Sequence, residues 1–442
     1  MHKYFFETYG CQMNTAESAA LVLAARERNW QEAENAESAD LVLINTCSVR
    51  ITAEQRVEGR LSYYGALKKK KAFCLVVAGC MAERIGEQLK NEYPFIDYII
   101  GTHARSSFPL ILAALENKSI YIESEQKPLF SFSALHHDES GESPYKSFVP
   151  IMQGCDNYCS YCIVPYVRGR EISRRPESIL NEIKMVAAKG VREITLLGQN
   201  VNSYKSGNMD FPRLLESIAD IVEKGEAGGL KWIRFLSSHP KDFSPDLITV
   251  FNDHSCLCRH IHLCVQHGSN KILTAMNRRY TREQYLELVY KLKSALPELS
   301  LSTDILVGFP GESEDDLEDT LNLMEEVKFL YSFMYHFNPR EGTAAYSLPD
   351  RIDEDVKKSR LSRVIELQKK HTLEILKSRI GKEILVLVEG ISRKNADELI
   401  GRTERDETVV FPGKSSYMGS FGTLSLSSLK GNTFRAESIK II

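Results

Sequence analysis

The sequence predicts an α/β protein of three parts: an N-terminal parallel α/β sandwich, a central partial (β/α)6 barrel and a small C-terminal antiparallel β-barrel. Two patterns favour this division. Up to residue 337, short continuous apolar runs alternate with helical patterns, as in parallel sheets that helices cover on both faces. From residue 383 onward, short strands with alternating apolar residues are separated by turn residues, which is typical of a small β-barrel.

Residues 1–130 form the first predicted part. Its apolar runs predict four strands, over 3–10, 40–46, 73–79 and 96–101. After the first strand, Asn14 is predicted as the N-cap of a helix, with Glu17 three residues later as in a capping box. Residues 131–147 are rich in Ser, Glu and His and lack apolar periodicity, so they are predicted to be an interdomain linker.

Residues 148–377 repeat the strand–helix pattern six times and end in a long polar helix. The predicted strands cover 148–152, 193–198, 232–238, 260–265, 301–308 and 332–337, and the helices between them cover 177–189, 211–223, 270–294 and 314–329. Six such units in a row indicate a partial barrel with its chemistry at the carboxyl ends of the strands. Residues 378–442 carry the short alternating strands of the third part.

The composition is that of an ordinary globular protein, with 43% apolar and 26% charged residues. A net charge of −3 excludes a global basic field for nucleic acid, although a local basic surface is compatible with it. The sequence shows neither a secretory signal pattern nor an apolar run of about 18 residues, so we expect a cytoplasmic protein without membrane attachment. In that reducing compartment, clustered cysteines favour metal binding or catalysis over disulfides.

The stretch "GCDNYCSYC" places Cys155, Cys159 and Cys162 on one loop, with the spacing C-x3-C-x2-C, directly after the first predicted barrel strand. Thiolates are soft ligands that suit iron–sulfur clusters and zinc. Three of them on one loop can hold three irons of a cubane cluster and leave the fourth iron without a protein ligand. The alternative is a zinc site that a distant Cys or His completes.

A second set of cysteines is spread along the N-terminal part. Cys11, Cys47 and Cys80 each end a predicted strand, and the carboxyl ends of parallel strands line one edge of a sheet. We therefore expect these three thiols to converge in space, although buried cysteines are common enough for coincidence to be the alternative. Cys74 lies inside its strand and is predicted to be a core residue.

The C-x3-C-x2-C motif, with the aromatic Tyr161 just before the third cysteine, resembles the radical S-adenosylmethionine (SAM) superfamily. Over essentially the whole chain, the stretches that resemble the methylthiotransferases of that superfamily are "TYGCQMN", "INTCSVR", "AGCMAER", "QGCDNYCSYCIVPYVRGREISR" and "GRTERDETVVFPG". The resemblance implies a radical SAM barrel, a TRAM domain at the C-terminus, and two [4Fe–4S] clusters. One cluster would lie on Cys155, Cys159 and Cys162, and the auxiliary cluster on Cys11, Cys47 and Cys80.

Within that family, "YGCQMN" resembles the branch that adds a methylthio group to carbon 2 of N(6)-dimethylallyladenosine, next to the anticodon of tRNA. That carbon carries an inert aromatic C–H bond, from which a primary alkyl radical can abstract the hydrogen. The resemblance implies a transferase that uses one SAM as methyl donor and another as the source of a 5′-deoxyadenosyl radical. The alternatives are the branches acting on a ribosomal-protein aspartate or on threonylcarbamoyl-adenosine in tRNA, and a non-enzymatic RNA scaffold with structural zinc.

Further residues and partners are expected on the same grounds. Candidate SAM contacts are Tyr161, Ser237, Gln266 and Asp304, and candidate RNA contacts in two basic loops are Arg168, Arg170, Arg278 and Arg279. The family often has Pro and Ser where this chain has Cys264 and His267, so Cys264 is not expected to be a ligand. The expected partners are the tRNA substrate, an electron donor such as flavodoxin or ferredoxin, and iron–sulfur assembly or carrier proteins, with the enzyme a monomer.

Overall fold

The computed structural model describes residues 1–48, 51–121 and 143–442, which fall into two compact units. The first unit comprises Met1–Glu142, Phe148–Asp156 and Ile163–Arg174, and the second comprises Ser143–Ser147, Asn157–Cys162 and Arg175–Ile442. Most of the expected linker, residues 131–142, lies outside the described residues, and the division into domains at 130, 147 and 377 stays a prediction. Among the described helices, none is both long and apolar enough to cross a membrane.

The first unit contains a parallel five-stranded sheet with the order β2-β1-β3-β4-β5. Its strands are β1 (Lys3–Tyr9), β2 (Gln31–Glu32), β3 (Leu41–Thr46), β4 (Cys74–Gly79) and β5 (Tyr98–Ile100). Every residue of β3 and β4 is buried, because helices cover both faces of the sheet. The predicted parallel α/β architecture is confirmed, and only the two-residue exposed strand β2 was not predicted.

Four helices supply the two layers, and each layer has its own apolar core. They are α1 (Gln12–Glu27), α2 (Ile51–Lys68), α3 (Cys80–Glu92) and α4 (Phe108–Glu116). Helices α1 and α4 pack on one face of the sheet, where Leu43 and Cys74 are buried, and α2 and α3 pack on the other, where Val42 is buried. Cys74 is therefore the core residue that the sequence predicts, and burial raises the pKa of its thiol to about 12.

The predicted start of helix α1 is wrong by three residues. Cys11, not Asn14, is the N-cap, and the Asn14 side chain at the third helical position accepts a hydrogen bond from the Cys11 N–H at 3.3 Å. A cysteine rarely begins a helix, so the usual preference for Asn at the N-cap points to the wrong residue. The capping box is real but uses this different pair.

Short elements that flank the cysteine motif complete the first unit. Strand β6 (Lys146–Pro150) runs from the second unit into the first, and β7 (Met152–Gln153) pairs antiparallel with β8 (Ile172–Ser173). Between β7 and β8 lies a short helix, α5 (Val164–Arg168). Neither α5 nor β8 was predicted, since five-residue and two-residue elements leave little periodicity to detect.

The second unit contains the parallel strands of the barrel in sequential order. They are β9 (Glu193–Leu197), β12 (Trp232–Phe235), β13 (His260–His262), β14 (Ser300–Val307) and β15 (Tyr331–His336). Parallel bridges from Ile233 to Leu257 and from Ser238 to Leu263 join β12 to the segment around β13, and the start of β6 lies at the other edge of β9. The predicted partial barrel is confirmed. A small antiparallel hairpin, formed by β10 (Lys205–Ser206) and β11 (Met209–Asp210), lies between β9 and β12 in the sequence.

Helices follow these strands, with two differences from prediction: the short helix Asp246–Asp253 was not among the predicted ones, and the helix predicted over 270–294 is divided. They are α6 (Pro176–Ala188), α7 (Phe211–Glu223), α8 (Asp246–Asp253), α9 (Asn270–Ala275), α10 (Arg282–Ala295), α11 (Glu314–Val327) and α12 (Glu354–Lys377). The single helix predicted over 270–294 is two helices, because Asn277 and Arg279 have left-handed backbone conformations with φ of 57° and 60°. Thr281 then caps α10 by accepting a hydrogen bond from the Gln284 N–H.

The C-terminal part of the second unit is a seven-stranded sheet with the order β20-β21-β18-β17-β16-β19-β22. Its strands are β16 (Glu383–Ile391), β17 (Glu398–Thr403), β18 (Thr408–Pro412), β19 (Phe421–Ser425), β20 (Ser428–Lys430), β21 (Thr433–Arg435) and β22 (Lys440–Ile441). Its pairings are antiparallel, as predicted, except that β18 and β21 run parallel. Val388, Leu399, Phe411 and Phe434 lie in its apolar core.

Buried charges of the barrel find their partners in the turn between β17 and β18. Glu193 is almost fully buried and lies 3.0 Å from Arg234 Nε and 3.3 Å from Lys146 Nζ. Arg234 in turn donates hydrogen bonds to the carbonyl oxygens of Thr403 and Glu404 at 2.6 and 2.8 Å. Because a buried charge is costly unless it is paired, this turn is part of the folded barrel and not an appendage to it.

Candidate functional site

Three cysteines meet at the carboxyl edge of the first unit's sheet, directly after β1, β3 and β4: Cys11, Cys47 and Cys80. The register of the sheet explains why, since Tyr9 lies beside Thr46 and Thr46 lies beside Gly79. The residues that follow these three positions are therefore neighbours in space. The structure brings together the thiols that the sequence predicts to converge.

Among these three thiols, the surroundings of Cys11 favour the anionic form. A hydrogen bond with Cys47, aided by the Arg168 guanidinium, lowers the pKa of Cys11 to about 6 against the opposing effect of burial. Burial raises the pKa of Cys80, although Arg168 acts in the other direction. Since the thiolate is the form that ligates metals, a buried cation beside three thiols is an arrangement suited to a thiolate-bound cluster.

Arg168 belongs to a buried charge triad that sequence reasoning missed. Its Nη2 lies 3.3 Å from Glu17 Oε2, and Arg105 Nη1 lies 2.9 Å from the other oxygen, Glu17 Oε1. Burial would raise the pKa of Glu17, but the two arginines outweigh it and keep that pKa below its usual range. A signal was available, because Glu17 shares a helix face with the buried Leu21 one turn later.

Gly79, the last residue of β4, permits the tight approach of strand and helix at this edge. Its φ is +97°, and a Cβ there would lie 2.4 Å from both Asn45 Oδ1 and the Thr46 carbonyl oxygen. Asn45 cannot easily give way, because its side-chain amide donates to the Asn14 carbonyl at 2.9 Å. The position therefore requires glycine for both conformation and space.

We expect Gly79→Ala to lower the free energy of unfolding by about 1–3 kcal/mol and to reduce the iron that the reconstituted protein retains. Denaturant unfolding and iron analysis measure the two effects. The matched control is Gly59→Ala within α2, where nothing lies within 4 Å of the added Cβ. That change should leave the iron content intact and stabilise the helix slightly. Equal behaviour of the two variants would contradict the role given to Gly79.

The second cysteine set lies on the loop from Cys155 to Cys162, which passes from the first unit into the second. On the first unit's side, the Cys155 N–H donates to the Gly169 carbonyl at 3.2 Å. On the second unit's side, the Cys162 N–H donates to the Cys159 carbonyl at 2.9 Å. Cys159 is buried, whereas Cys155 and Cys162 are half-buried.

Within the second unit, the connection between α9 and α10 holds the cysteine loop. The Ser160 N–H donates to the Met276 carbonyl at 3.0 Å, and Ser160 Oγ donates to the Ala275 carbonyl at 2.8 Å. Asn277 Nδ2 donates to the Tyr158 carbonyl at 2.9 Å. These hydrogen bonds fix the backbone of the loop and use none of its thiols.

The four candidate SAM residues are placed as follows. Tyr161 packs against the apolar cluster that includes Met276, while Ser237 and Gln266 follow β12 and β13 in left-handed conformations with φ of 65° and 69°. Gln266 lies beside Asp304, whose carbonyl accepts from the Gln266 N–H at 2.9 Å. Strained backbone at strand ends is common where a ligand binds, so these positions fit the expectation without testing it.

Sequence reasoning overlooked the neighbours of Asp304. His262, Cys264 and Asp304 offer one ligand atom each within 4.8 Å of one another, and His262 Nε2 lies 3.4 Å from Asp304 Oδ2. Burial raises the pKa of Cys264, which favours its neutral thiol.

Two of the four arginines expected to contact RNA do not face solvent. Arg168 and Arg278 are only 3% and 4% exposed, so neither presents its guanidinium to a phosphate backbone. The expectation is corrected for these two residues, because a basic loop has the same sequence whether its arginines point outward or inward. Arg170 and Arg279 are exposed and stay candidates for RNA contact.

The comparisons with known proteins define the class of protein that this fold and these cysteines form. The family model described as the radical SAM superfamily matches residues 149–324, and the TRAM domain matches residues 377–437. The model described as uncharacterized protein family UPF0004 matches residues 3–101. The chain is therefore a radical SAM enzyme that carries a TRAM domain.

Full-length relatives narrow the class further. The chain is 50% identical to tRNA-2-methylthio-N(6)-dimethylallyladenosine synthase of Treponema pallidum (strain Nichols) over 99% of both chains. It is 42% identical to the protein of the same name from Thermoanaerobacter sp. (strain X514), over 99% of this chain and 93% of that one. The chain belongs to the tRNA-2-methylthio-N(6)-dimethylallyladenosine synthase family of methylthiotransferases, as the sequence motifs predict.

Solved structures support the fold. The radical S-adenosylmethionine methyltransferase TsrM from Kitasatospora setae, with cobalamin and a [4Fe–4S] cluster bound, matches with a TM-score of 0.60 and 14% identity. The match covers 78% of this chain and 74% of that chain. The cobalamin-dependent radical enzyme OxsB matches with a TM-score of 0.53 and 12% identity, over 84% of this chain and 56% of that chain. These distant matches establish the fold alone.

Family membership implies SAM and [4Fe–4S] clusters as the cofactors, and the residues present fit them. None of the ten cysteines, all of which are described, forms a disulfide. Three of the predicted ligands converge at one sheet edge beside the buried Arg168. Two more, Cys159 and Cys162, lie in the second unit on a loop whose backbone is fixed by hydrogen bonds. Soft sulfur donors of this kind are what iron–sulfur clusters require.

Proposed function

We propose that this chain adds a methylthio group to carbon 2 of N(6)-dimethylallyladenosine, next to the anticodon of tRNA. The observation that carries the proposal is 50% identity, over 99% of both chains, to a relative named for that reaction. The convergence of the N-terminal thiols supports it, because a radical reaction that also inserts sulfur can use a second thiolate-bound cluster for the sulfur. No feature of the described residues favours a ribosomal-protein aspartate or threonylcarbamoyl-adenosine instead.

The proposed ligands are Cys155, Cys159 and Cys162 for the radical-forming cluster, and Cys11, Cys47 and Cys80 for the auxiliary cluster. When bound, the clusters and SAM supply the radical that removes the hydrogen and the sulfur and methyl group that replace it. In each set the three thiolates would hold three irons, and the fourth would take a non-protein ligand.

The remaining side chains would position the cofactor and exclude water. Gln266, which follows β13, lies beside Asp304 within β14, and the polar side chains of both suit hydrogen bonds to a ribose and an amino group. Tyr161 covers the cysteine loop against an apolar cluster, and Ser237 follows the end of β12. These four residues are proposed as the SAM contacts of this chain.

Partners and location follow from the same proposal. The exposed Arg170 and Arg279 would contact RNA phosphates, and a single-electron donor such as flavodoxin or ferredoxin would reduce the clusters. Iron–sulfur assembly or carrier proteins would load them, and the enzyme would act as a cytoplasmic monomer. Functional domains at 1–130, 148–377 and 378–442, with a linker at 131–147, are part of this proposal.

Mass spectrometry of tRNA nucleosides tests the function directly. Deleting the gene is expected to remove 2-methylthio-N(6)-dimethylallyladenosine and to leave its unmodified precursor, N(6)-dimethylallyladenosine, in excess. Ribosomal proteins and threonylcarbamoyl-adenosine from the same cells serve as internal controls and should be unchanged. An unchanged level of the methylthiolated nucleoside would refute the proposed function, and a loss in either control would reassign it.

A further inference from the structure

Arg278 occupies an unusual position in the second unit. It follows Asn277 and precedes Arg279, both in left-handed conformations, and this backbone turns its side chain inward until only 4% of the residue is exposed. Its Nη1 donates to the sulfur of Cys159 at 3.3 Å, and its Nη2 donates to the Cys264 carbonyl at 2.8 Å. A guanidinium therefore lies against a cysteine of the C-x3-C-x2-C motif.

The Arg278 guanidinium makes no hydrogen bond to a carboxylate in the described residues, and the Cys159 sulfur is the partner that could carry a negative charge as a thiolate. Among the described residues, its three hydrogen bonds reach the Cys159 sulfur, the Cys264 carbonyl and the Tyr280 hydroxyl, and none reaches a carboxylate. Other buried arginines of this unit are paired differently, since Arg360 lies 2.9 Å from Glu312 Oε1 and Arg234 lies 3.0 Å from Glu193 Oε2. A buried cation is costly unless an anion lies near it. Against the effect of burial, Arg278 also helps to lower the pKa of the Asp304 carboxyl, but among its hydrogen-bond partners in the described residues the Cys159 thiol is the one that would carry a full negative charge as a metal ligand.

The guanidinium is also held rigidly in place. Arg278 Nε donates to the Tyr280 hydroxyl at 3.1 Å, and that hydroxyl donates to the Val265 carbonyl at 2.6 Å. The two neighbouring contacts of the α9–α10 connection, from Met276 and Asn277, fix the cysteine loop at the same time. The geometry between donor and sulfur is consequently set by several independent hydrogen bonds.

We propose that Arg278 is a positioning residue that hydrogen-bonds the Cys159 thiolate and raises the reduction potential of the cluster on the radical motif. The proposal rests on the proposed function in that Cys159 must ligate that cluster. The step involved is a one-electron reduction from a single-electron donor, or from dithionite in the test, and it breaks no bond. A charge-assisted N–H···S bond stabilises the reduced cluster most, because the reduced cluster carries one more negative charge.

A redox titration of the full-length protein, followed by electron paramagnetic resonance, tests the proposal. To observe one cluster alone, the titration uses a background in which Cys11, Cys47 and Cys80 are alanine. In that background, Arg278→Gln is expected to lower the ratio of reduced to oxidised cluster at a fixed potential at least tenfold, which corresponds to a shift of about −59 mV for a one-electron couple. Arg278→Lys keeps the charge with a different donor geometry, so its reduction potential should lie between those of the parent background and the Arg278→Gln variant.

Arg282→Gln is the matched control. Arg282 is the first residue of α10, directly after the connection, and its guanidinium is 3.5 Å from Asp319 and 3.5 Å from Glu326, so its loss should not move the potential. If Arg278→Gln assembles no cluster, the measurement on Arg278→Lys decides. If an Arg278 variant carries the cluster and its reduction potential is unchanged, the inference is overturned. This holds also if the variant binds SAM more weakly. Absence of the cluster signal from the parent background would instead overturn the ligand assignment of the proposed function.

Discussion

Replacing Cys80 by alanine is expected to abolish formation of the methylthiolated nucleoside while reductive cleavage of SAM continues. Cys80 begins α3 at the sheet edge where the auxiliary thiols converge, and it lies apart from the C-x3-C-x2-C motif along the chain. Its loss should therefore affect sulfur delivery and spare radical formation. Nucleoside mass spectrometry reports the product, 5′-deoxyadenosine reports SAM cleavage, and iron analysis should fall from about eight irons to about four.

The same sheet offers a matched control. Cys74 lies six positions earlier, at the start of β4, and its side chain packs in the apolar core. Cys74→Ala should retain both product formation and the full iron content, whereas alanine at any of the other five predicted ligands should abolish product. Retained product in the Cys80→Ala enzyme would break the two-cluster account and leave the C-x3-C-x2-C motif as the single supported site.

Removing the Glu17 carboxylate is expected to lower the free energy of unfolding by about 3–5 kcal/mol. Glu17 is the shared partner of Arg168 and Arg105. The side chains of Glu17 and Arg168 are nearly inaccessible to solvent, and 15% of the Arg105 side chain is exposed. Glu17→Ala leaves two buried cations side by side without a counter-charge, in contact with the auxiliary thiols. Denaturant unfolding followed by circular dichroism measures the cost.

An exposed ion pair on a neighbouring element provides the comparison. Glu32 lies 3.6 Å from Arg26, and 69% of its side chain is accessible to solvent. Glu32→Ala should change the free energy of unfolding by less than about 1 kcal/mol. Adding Arg105→Met to Glu17→Ala should recover part of the loss, because one unpaired cation is then removed. A cost for Glu17→Ala no larger than that for Glu32→Ala would mean that the triad contributes nothing to stability.

The strands and the cysteine positions could be predicted because both follow from local rules. Strands β3 and β4 are continuous apolar runs, and a cysteine that directly follows such a run must lie at the carboxyl edge of a parallel sheet. No tertiary information is needed to place Cys47 and Cys80 on the same edge. Their mutual contact then depends only on the two strands being neighbours, as consecutive strands usually are.

The break between α9 and α10 could not be predicted from pattern. The segment from Met276 to Thr281 contains no Gly or Pro, and the apolar period continues through Tyr280 and Tyr285. The helix ends because Asn277 and Arg279 adopt left-handed conformations, which the contacts of the cysteine loop compensate. Such compensation is a tertiary effect and leaves no trace in local propensity.

The burial of Arg168 and Arg278 also escaped prediction, for a related reason. Arginines in a loop rich in Arg and Gly are ordinarily solvated, and nothing in "VRGREISRR" or "NRRYTREQY" separates the inward residue from the outward one. What separates them is the tertiary contact each one makes, since Arg168 lies against Glu17 and Arg278 donates to the Cys159 sulfur. The inward orientation of Arg168 and Arg278 therefore depends on partners that are distant in the sequence, and a local sequence pattern contains no information about them.

The turn between β17 and β18 has a consequence for how this enzyme can be divided. Asp406 in that turn accepts a hydrogen bond from the Tyr331 hydroxyl at 2.9 Å, and the Arg402 guanidinium beside it helps to hold the pKa of Asp406 below its usual range against burial. This turn therefore supplies hydrogen-bond acceptors to two side chains of the barrel, since its carbonyls also accept from Arg234. The C-terminal sheet is therefore not an interchangeable module. A chimera that exchanges it for another domain would have to reproduce this turn, or the buried Arg234 and the half-buried Tyr331 of the barrel would lose hydrogen-bond partners.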